Sequence, residues 1–436
     1  MTNNERTTCL VVGGGPAGLV LGLLMARAGI EVTVLEKHDD FLRDFRGDTV
    51  HASTLALLDE LGLGERFAAL PQRRLDTVQV QFDQGTARLG DMSRLPGAHR
   101  HIALVPQWDF LDLVADAGEA EPTFTLLRNA EVVDLLRDGD RIAGARYRDR
   151  TDGTEHEIRA SLTVGCDGRG SAVRAAAGLR PRGFGVPIDV WWFRLARHEG
   201  DPAGGVGRVS AGHFMVMIDR GDYWQCGYLI GKGTDVELRA AGIAAFRDRL
   251  AGLQPWIADR VGALESFDDV KLLTVELNRL RRWYADGLLL IGDAAHAMSP
   301  VGGVGINLAI ADAVATARLI APALRSGGIV GPAQLRRVQL RRWWPTVLIQ
   351  GGQRVIHKVI LGVRAAGPGN AAAAPRPPVG MLDTGRSAGV RLPLPLRIVG
   401  RFPRLQGIPA RLVAIGPLPE HAPDWARRPA GDTTRA

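Results

Sequence analysis

Short apolar runs separated by glycine turns characterise the first part of the chain. Thr8 to Val12 and Glu31 to Leu35 are short and rich in β-branched residues, so each predicts a buried parallel strand. Between them, Leu19 to Ala28 predicts a helix, which Gly29 ends as a C-terminal cap. Because strand, helix and strand follow one another, we expect an α/β fold with a Rossmann-like parallel sheet.

Residues 181 to 285 differ, because apolar and polar positions alternate there as in an antiparallel sheet. The turn Asp219–Asp222 favours a hairpin, and Val236 to Leu253 predicts an amphipathic helix that covers the sheet. Four strands are predicted: Val190–Leu195, His213–Ile218, Tyr223–Ile230 and Lys271–Leu277.

The C-terminal hundred residues are less regular. Leu335 to Val355 predicts a helix that Pro345 bends or interrupts. Residues 367 to 379 are rich in Ala, Pro and Gly and predict a disordered linker. A short amphipathic helix broken by prolines is expected within Arg397 to Ile415, and residues from 417 onward are expected to fray.

Charge divides the chain in two. Residues 331 to 436 contain sixteen arginines and one lysine against four acids, a net charge of +13, which leaves −6 for the first 330 residues. Such a basic region suits a membrane surface, an acidic partner or nucleic acid, but an arginine-rich solubilising surface is the favoured interpretation. We expect no nucleic-acid binding and keep peripheral membrane contact as an alternative.

Three cysteines without a C-x-x-C pair predict neither a disulfide framework nor a zinc site, which favours a reducing, cytoplasmic location. The apolar run Leu10 to Ala26 resembles a signal peptide, but Gly13–Pro16 would break its helix at the start. Ile306 to Leu324 carries Asp312 and Arg318, so it is not expected to span a membrane. We expect a cytoplasmic protein, free or peripheral to the membrane.

The turn after the first strand has the pattern G-x-G-x-x-G. Gly13 permits a tight turn, Gly15 lets the backbone approach a diphosphate, and Gly18 lets the helix pack close to the strand. The N-terminus of that helix offers free N–H groups to the diphosphate. Glu36, 23 positions after Gly13, can accept hydrogen bonds from ribose hydroxyls, which favours FAD or NAD over NADP.

Two further strand ends carry an acid beside glycine. Leu162 to Gly165 leads into Cys166-Asp167-Gly168, which is either a phosphate-facing turn or a common loop. Leu288 to Ile291 leads into Gly292-Asp293, whose acid either faces a ligand at the sheet edge or caps the next helix. A glycine-rich stretch then enters a helix near Ile306, whose start offers donors to an anionic oxygen.

Together, these three motifs resemble the para-hydroxybenzoate hydroxylase family of single-component flavin monooxygenases, over about residues 7 to 330. The resemblance implies a glutathione-reductase-type FAD-binding fold with an inserted substrate domain, and NADH or NADPH as transient reductant. It also implies that reduced flavin reacts with O2 to give a hydroperoxide, which transfers one oxygen atom to an aromatic or polycyclic substrate.

The resemblance also assigns roles to single positions. Glu36 would bind the adenosine ribose, Asp293 the ribityl hydroxyls, and the backbone at 305 to 307 the pyrimidine end of the flavin. Pro300 would lie near the reactive edge, while the flavin itself performs the catalysis and His296 only packs nearby. The full cofactor-binding set is Gly13, Gly15, Pro16, Ala17, Gly18, Glu36, Lys37, Arg46, Gln107, Asp167, Gly168, Gly292, Asp293, Pro300, Gly303, Gly305, Ile306 and Asn307.

In that family the inserted sheet forms one wall of the substrate pocket. Alternation places candidate pocket residues on one face, unless these side chains are sheet core. They are Trp192, Phe214, Val216, Tyr223 and Gln225. Rival functions are an epoxidase or Baeyer–Villiger-type oxygenase, a membrane-associated hydroxylase of quinone precursors, and a non-catalytic flavin-binding regulator. A halogenase is disfavoured because the sequence has no Trp-x-Trp-x-Ile-Pro stretch.

Domain boundaries follow from these assignments. The expected FAD-binding domain comprises residues 7–75, 100–180 and 285–330, and the substrate domain residues 76–99 and 181–284. C-terminal helices at 331–366 and a basic, partly disordered tail at 367–436 complete the chain. Because all three flavin motifs precede residue 367, removal of the tail is expected to leave FAD binding intact. The oligomeric state, the substrate and the choice between NADH and NADPH stay open.

Overall fold

The computed structural model describes residues 4–42, 49–83, 85–202, 204–210, 213–361, 402 and 406–429. The strands are β1 Asn4–Val12, β2 Val32–Leu35, β3 Thr49–Val50, β4 Arg73–Leu75, β5 Thr77–Phe82, β6 Gly85–Asp91, β7 Ile102–Leu104, β8 Phe124–Leu127, β9 Ala130–Asp138, β10 Arg141–Asp149, β11 Glu155–Gly165, β12 Arg182–Gly183, β13 Ile188–Ala196, β14 Gly205–Ser210, β15 His213–Asp219, β16 Tyr223–Gly231, β17 Lys271–Leu273, β18 Asn278–Arg279, β19 Tyr284–Ala285 and β20 Leu288–Leu290. The helices are α1 Pro16–Arg27, α2 Ala52–Glu60, α3 Gly64–Ala68, α4 Gln107–Glu119, α5 Ala172–Ala176, α6 Asp235–Ala240, α7 Ile243–Leu253, α8 Gly305–Arg325, α9 Pro332–Leu361 and α10 Gly407–Ala414.

The first sheet confirms the expected α/β fold. Its strands follow the order β19-β20-β11-β1-β2-β8, and the run from β20 to β8 is parallel. Helices α1 and α8 pack together beside it and contribute buried residues to its core. Because Val12 pairs with Gly165 and Gly165 pairs with Leu290, three strands end side by side.

The second sheet has seven strands in the order β17-β13-β16-β15-β14-β5-β6. Its central strands are antiparallel, and β5, from much earlier in the chain, joins the edge of β14 in parallel. One face is buried against α7, with Trp191, Phe193 and Trp224 in a continuous aromatic core around Phe246. This packing fixes which side chains point to the opposite face.

One predicted helix is divided in the structure, and the interruption considered for another is not observed. The helix predicted from Val236 to Leu253 is two helices, α6 and α7, because Gly242 between them adopts a φ of +87°. Conversely, α9 runs through Pro345 and the following glycines without interruption. Proline removes one backbone donor, but Gln350 and Gln353 bond to backbone carbonyls of the neighbouring core and hold the helix in place.

The expectation that residues from 417 onward fray was wrong for residues 417–429, which the structure describes. The segment 406–429, which we call the C-terminal segment, contains α10. Its Ala422 and Ala426 are buried in the core of the first sheet. Arg27 donates to the carbonyl of Ala426 at 2.9 Å, and the Ala422 N–H donates to Glu60 at 2.7 Å. The predicted linker at 367–379 lies outside the described residues.

Part of the basic excess is matched by acids of the same chain. Arg341 pairs with Glu420, Arg342 pairs with Asp312, and Arg427 lies 3.4 Å from Glu60. Arg342 and Arg427 therefore pair the basic C-terminal region with acids of the first 330 residues, whereas Arg341 pairs with an acid of the C-terminal region itself. Helix α8 is long and apolar enough to cross a membrane, but 61% of its most apolar window is buried, as in a core helix.

Candidate functional site

The predicted motifs meet at one edge of the first sheet. The glycine turn follows β1, the Asp167 turn follows β11, and the Asp293 turn follows β20. Glu36 follows β2, which is the next strand in the sheet. Open α/β sheets bind ligands at the carboxyl ends of neighbouring parallel strands, so these four strand ends outline one candidate site.

The glycine turn shows why each glycine is needed. Gly13 has a φ of +105°, and a Cβ there would lie 2.6 Å from the carbonyl oxygen of Cys166. A Cβ on Gly18 would lie 1.9 Å from the carbonyl oxygen of Gly13. Gly15 is different, because a Cβ there would meet no described atom within 4 Å. Open space beside Gly15 at the start of α1 fits a diphosphate, and no side chain caps this helix end among the described residues.

Glu36 is buried and braces the same turn. One carboxylate oxygen accepts the N–H of Gly14 at 2.9 Å, and the other accepts the N–H of His38 at 3.1 Å. Neighbouring Lys37 is exposed, and Pro16 and Ala17 form the first residues of α1. Glu36 therefore has a structural role in the glycine turn, in addition to the ribose contact that the sequence predicts.

Asp167 is held by the start of α5. Its carboxylate accepts from the Ser171 hydroxyl at 2.5 Å and from the Val173 N–H at 3.1 Å. Burial raises the pKa of Asp167, against the lowering effect of these hydrogen bonds. Gly168 next to it has a φ of +82° and open space around its Cα, so the turn itself can be approached closely.

Asp293 does not cap a helix. The short helical turn Gly292–Ala294 has Ile291 as its N-cap residue, and Gly292 adopts a φ of +57°. The carboxylate of Asp293 lies 3.8 Å from the Nε of Arg169, on the second turn. Arg174 also joins these two turns, donating to the carbonyl of Ala294 at 3.0 Å. The alternative that Asp293 serves as a helix cap is therefore wrong.

The start of α8 is tied to a segment that the sequence did not single out. The side-chain oxygen of Asn307 accepts from the His51 N–H at 2.9 Å and from the Thr54 hydroxyl at 2.7 Å. The Thr49 hydroxyl donates to the carbonyl of Gly303 at 2.9 Å. The N-cap residue of α8, Val304, makes no side-chain cap, so the N–H groups of the first turn, at 305 to 307, have no partner within the helix. Thr49, His51 and Thr54 belong to no motif that the sequence analysis identified, so the sequence did not predict this contact.

Of four other residues that the sequence singled out, the structure describes three, which lie in different surroundings. Gln107 is the first residue of α4 and is partly exposed, and Pro300 lies partly exposed just before the glycine-rich turn. Arg46 lies outside the described residues. His296 is only 1% exposed and its Nε2 donates to Asp312 at 2.6 Å, which places it in the core as a packing residue.

The five predicted pocket residues share one face of the second sheet. Trp192 and Val216 both flank Gly227, where a Cβ would come within 3.0 Å of Val216 and 3.1 Å of Trp192. This face is opposite the aromatic core, so the alternation correctly separated the two faces. Its members are Trp192, Phe214, Val216, Tyr223 and Gln225. We call it the open face.

The C-terminal segment closes the junction between the two sheets. Ala410 and Ala414 of α10 pack with Ile102, in the small sheet β3-β7-β4, and with Ile218 of the second sheet. Val413 packs both there and against the cluster that contains Val304 and Leu308, beside the start of α8. The expectation that the tail is weakly coupled to the site is therefore at odds with these contacts.

Comparisons with known proteins agree with this geometry. A family described as "FAD binding domain" matches residues 6–330. The 6-methylpretetramide 4-monooxygenase of Streptomyces rimosus is 35% identical over 325 residues, which cover 74% of this chain and 77% of that protein. Rifampicin monooxygenase of Streptomyces venezuelae is 29% identical over 70% of this chain, which spans only 62% of that relative's length.

The fold has close counterparts among solved structures. PqsL, described as a probable FAD-dependent monooxygenase from Pseudomonas aeruginosa, superposes with a TM-score of 0.70. The match covers 82% of this chain and 97% of PqsL at 22% sequence identity, so it supports the fold alone.

Proposed function

This chain belongs to the FAD-binding-domain family of single-component, flavin-dependent aromatic monooxygenases, and on that premise we propose that its substrate is a polycyclic aromatic polyketide. Membership makes the chain an FAD-dependent oxidoreductase and removes the non-catalytic regulator from consideration. The relatives reported above include monooxygenases named for 6-methylpretetramide and rifampicin. A substrate of similar size and flatness is therefore the natural candidate.

We propose that FAD lies across the four strand ends with its diphosphate over Gly15. The space at Gly15 and the uncapped starts of α1 and α8 support this placement. Glu36 would hold the adenosine ribose and Asp293 the ribityl hydroxyls. Bound flavin supplies the redox chemistry and the activation of O2, while the protein binds, orients and excludes water. NADH or NADPH is the proposed reductant, which suits a cytoplasmic enzyme.

The open face is the observation that supports a flat, apolar substrate. Trp192, Phe214 and Tyr223 offer aromatic surface, and Gly227 lets the side chains of Trp192 and Val216 pack closely over the strand between them. Aromatic rings bind planar ligands by stacking and apolar burial. The indole N–H of Trp192 is buried without a hydrogen-bond partner among the described residues, so it is suited to donate to a substrate oxygen.

Arginines at the rim of this face favour an acidic phenol or enol. The guanidinium of Arg194 lies 5.0 Å from the centre of the Tyr223 ring. Arg220 donates twice to the Gln225 side-chain oxygen, at 2.8 and 2.7 Å, which orients both side chains. Nearby positive charge lowers the pKa of a phenol, and the resulting phenolate is richer in electrons at its ring carbons.

A substrate screen tests the proposal directly. Purified holoenzyme would be incubated with NADH or NADPH and a panel of aromatic polyketides, simple phenols and quinone precursors, and nicotinamide oxidation and product mass would be measured. We expect strong stimulation by a polycyclic polyketide and one atom from labelled O2 in the product. Stimulation by simple phenols or quinone precursors alone would overturn the substrate assignment. Product structure separates hydroxylation from epoxidation and Baeyer–Villiger insertion.

A further inference from the structure

A buried carboxylate near the middle of α8 accepts hydrogen bonds from three groups, which lie in two other parts of the chain. Asp312 has no exposed surface. One of its oxygens accepts from His296 Nε2 at 2.6 Å and from the Gly292 N–H at 3.1 Å. The other oxygen accepts from the Nε of Arg342, on α9, at 3.0 Å. Asp312 therefore binds both ends of the turn that carries Asp293.

The contacts continue from Arg342 to the C-terminal segment. Arg342 donates to the carbonyl of Leu418 at 3.1 Å and to the Glu420 carboxylate at 3.4 Å. Arg341 donates to both oxygens of Glu420, at 2.7 and 2.9 Å. The side chains of Arg342 and Glu420 are each 1% exposed. Hydrogen bonds thus connect His296, Asp312, Arg342, Glu420 and Arg341 without a gap, and we call these five side chains the Asp312 network.

Such an arrangement is a poor device for stability alone. Desolvation of several charges costs free energy that apolar side chains of similar volume would avoid, whereas loss of one partner leaves an uncompensated buried charge. Burial by itself would raise the pKa of Asp312, but His296 and Arg342 outweigh burial and lower it, so the carboxylate stays charged. What the charges do provide is direction, because each hydrogen bond fixes one group in one orientation.

The group fixed most directly is the peptide between Ile291 and Gly292, one residue before Asp293. Gly292 has a left-handed φ of +57°, and a Cβ on it would lie 3.2 Å from Ala309 and 3.6 Å from Ala17. The turn therefore lies between α1 and α8, where the bond from Asp312 sets the rotation of the Gly292 peptide. Rotation of that peptide would displace the Asp293 carboxylate from its place near Arg169.

We propose that Asp312 is a positioning residue for the flavin site, and that Arg342 and Glu420 connect it to the C-terminal segment, so that this segment contributes to FAD binding without touching FAD. The inference rests on the proposed role of Asp293. It does not depend on the substrate class.

The test measures FAD binding to full-length apoprotein variants by titration, together with the visible circular dichroism of bound flavin at saturation. Asp312→Asn keeps the shape of the side chain and removes its charge, and Glu420→Gln does the same in the C-terminal segment. We expect FAD affinity to fall by about tenfold to a hundredfold for Asp312→Asn, as for a lost charged hydrogen bond, and less for Glu420→Gln. The flavin dichroism should change in both variants.

The matched control is Glu60→Gln. Glu60 also holds the C-terminal segment, through His421 and Ala422, each at 2.7 Å, but its partners include none of the five side chains of the Asp312 network. Similar losses of FAD affinity in Glu60→Gln and Glu420→Gln would overturn the inference, since general loosening of the segment would then suffice. If Asp312→Asn does not fold, the FAD affinities of Glu420→Gln and Glu60→Gln are compared instead. A larger loss in Glu420→Gln supports the inference, and equal losses overturn it.

Asp293→Ala, titrated with FAD in parallel, separates the proposed role of Asp293 in FAD binding from the positioning role of Asp312. Weak FAD binding by Asp293→Ala with normal binding by Asp312→Asn overturns the positioning role alone. Normal binding by both variants overturns the ribityl assignment and the positioning role with it. Reduced binding by both, with altered dichroism in Asp312→Asn, supports the inference.

Discussion

The imidazole of His51 lies 2.8 Å from the carbonyl oxygen of Val413, which is 362 positions later in the chain. Because a carbonyl can only accept, His51 Nδ1 must carry the proton in this contact. The ring is fully buried, and its Nε2 has no hydrogen-bond partner among the described residues. A neutral ring is compatible with that environment, whereas a protonated ring would bury a second N–H without an acceptor.

This contact predicts acid sensitivity. Burial lowers the pKa of His51 to about 4, despite the opposing bond to Val413. The unfolded chain binds this proton below about pH 6.5 and the folded chain does not, so stability is present above pH 6.5 and is lost as the pH falls toward 4. Between pH 7.5 and 5.0 we expect His51 to account for a loss of about 2 kcal/mol. Denaturant unfolding of wild type and His51→Gln at both pH values measures it; equal pH slopes would contradict it.

The glycines of the first turn should separate folding from cofactor binding. Gly18→Ala places a methyl group 1.9 Å from the Gly13 carbonyl oxygen, so we expect destabilisation of roughly 1–3 kcal/mol or more. Gly15→Ala meets no described atom within 4 Å, so the apoprotein should unfold at an unchanged temperature while FAD affinity drops. Thermal unfolding of apoproteins and FAD titration provide the two readouts. Normal FAD affinity in Gly15→Ala would exclude a diphosphate at this turn.

Asp293→Ala should weaken FAD binding without unfolding the protein. The Asp293 side chain is 40% exposed, so its removal costs the fold little packing. The ribityl hydroxyls of FAD, however, would lose their hydrogen-bond acceptor. Removal of such a partner costs about 1–3 kcal/mol, which is roughly five- to 150-fold in affinity. Asp293→Asn, which keeps one acceptor oxygen, should bind with intermediate affinity. An unchanged dissociation constant for a folded Asp293→Ala would count against the assignment.

Adjacent tryptophans offer a matched pair for the substrate side. Trp192→Phe removes an unpartnered N–H from the open face, so KM for the substrate should rise about tenfold, as for one lost hydrogen bond, with little change in Tm. Trp191 lies in the core, and its indole N–H donates to Asp235 at 2.7 Å. Trp191→Phe should therefore lower Tm and leave KM unchanged. Steady-state kinetics and thermal unfolding measure the two effects. A raised KM in Trp191→Phe together with a lowered Tm in Trp192→Phe would contradict this assignment of the two faces.

Features encoded over short distances were predictable from the sequence. The strand ends after β1, β11 and β20 carry glycines whose φ values or close contacts require them, and each motif is contained within a few residues. The open face of the second sheet followed from alternation alone, because side chains along a strand point to opposite faces in turn. The family resemblance then joined these separate turns into one cofactor site.

Local patterns misled where distant contacts outweigh them. Pro345 was expected to bend or interrupt α9, yet the helix continues through it, and Gln350 and Gln353 anchor the helix to the core on the C-terminal side of the proline. The last residues lack the apolar periodicity of a packed helix, yet Glu420 is buried because Arg341 and Arg342 surround it. An ion pair between residues far apart in the chain leaves no periodic signal.

The sequence by itself determined the parallel sheet, the flavin motifs and the two faces of the second sheet, because backbone geometry and side-chain alternation are properties of neighbouring residues. Only the tertiary structure decided that His296, Asp312, Arg342 and Glu420 form one buried hydrogen-bonded network, and that Val413 reaches His51. Those pairings depend on how helices α8, α9 and α10 dock together. Docking is set by the total fit of buried surfaces, which no single stretch of sequence contains.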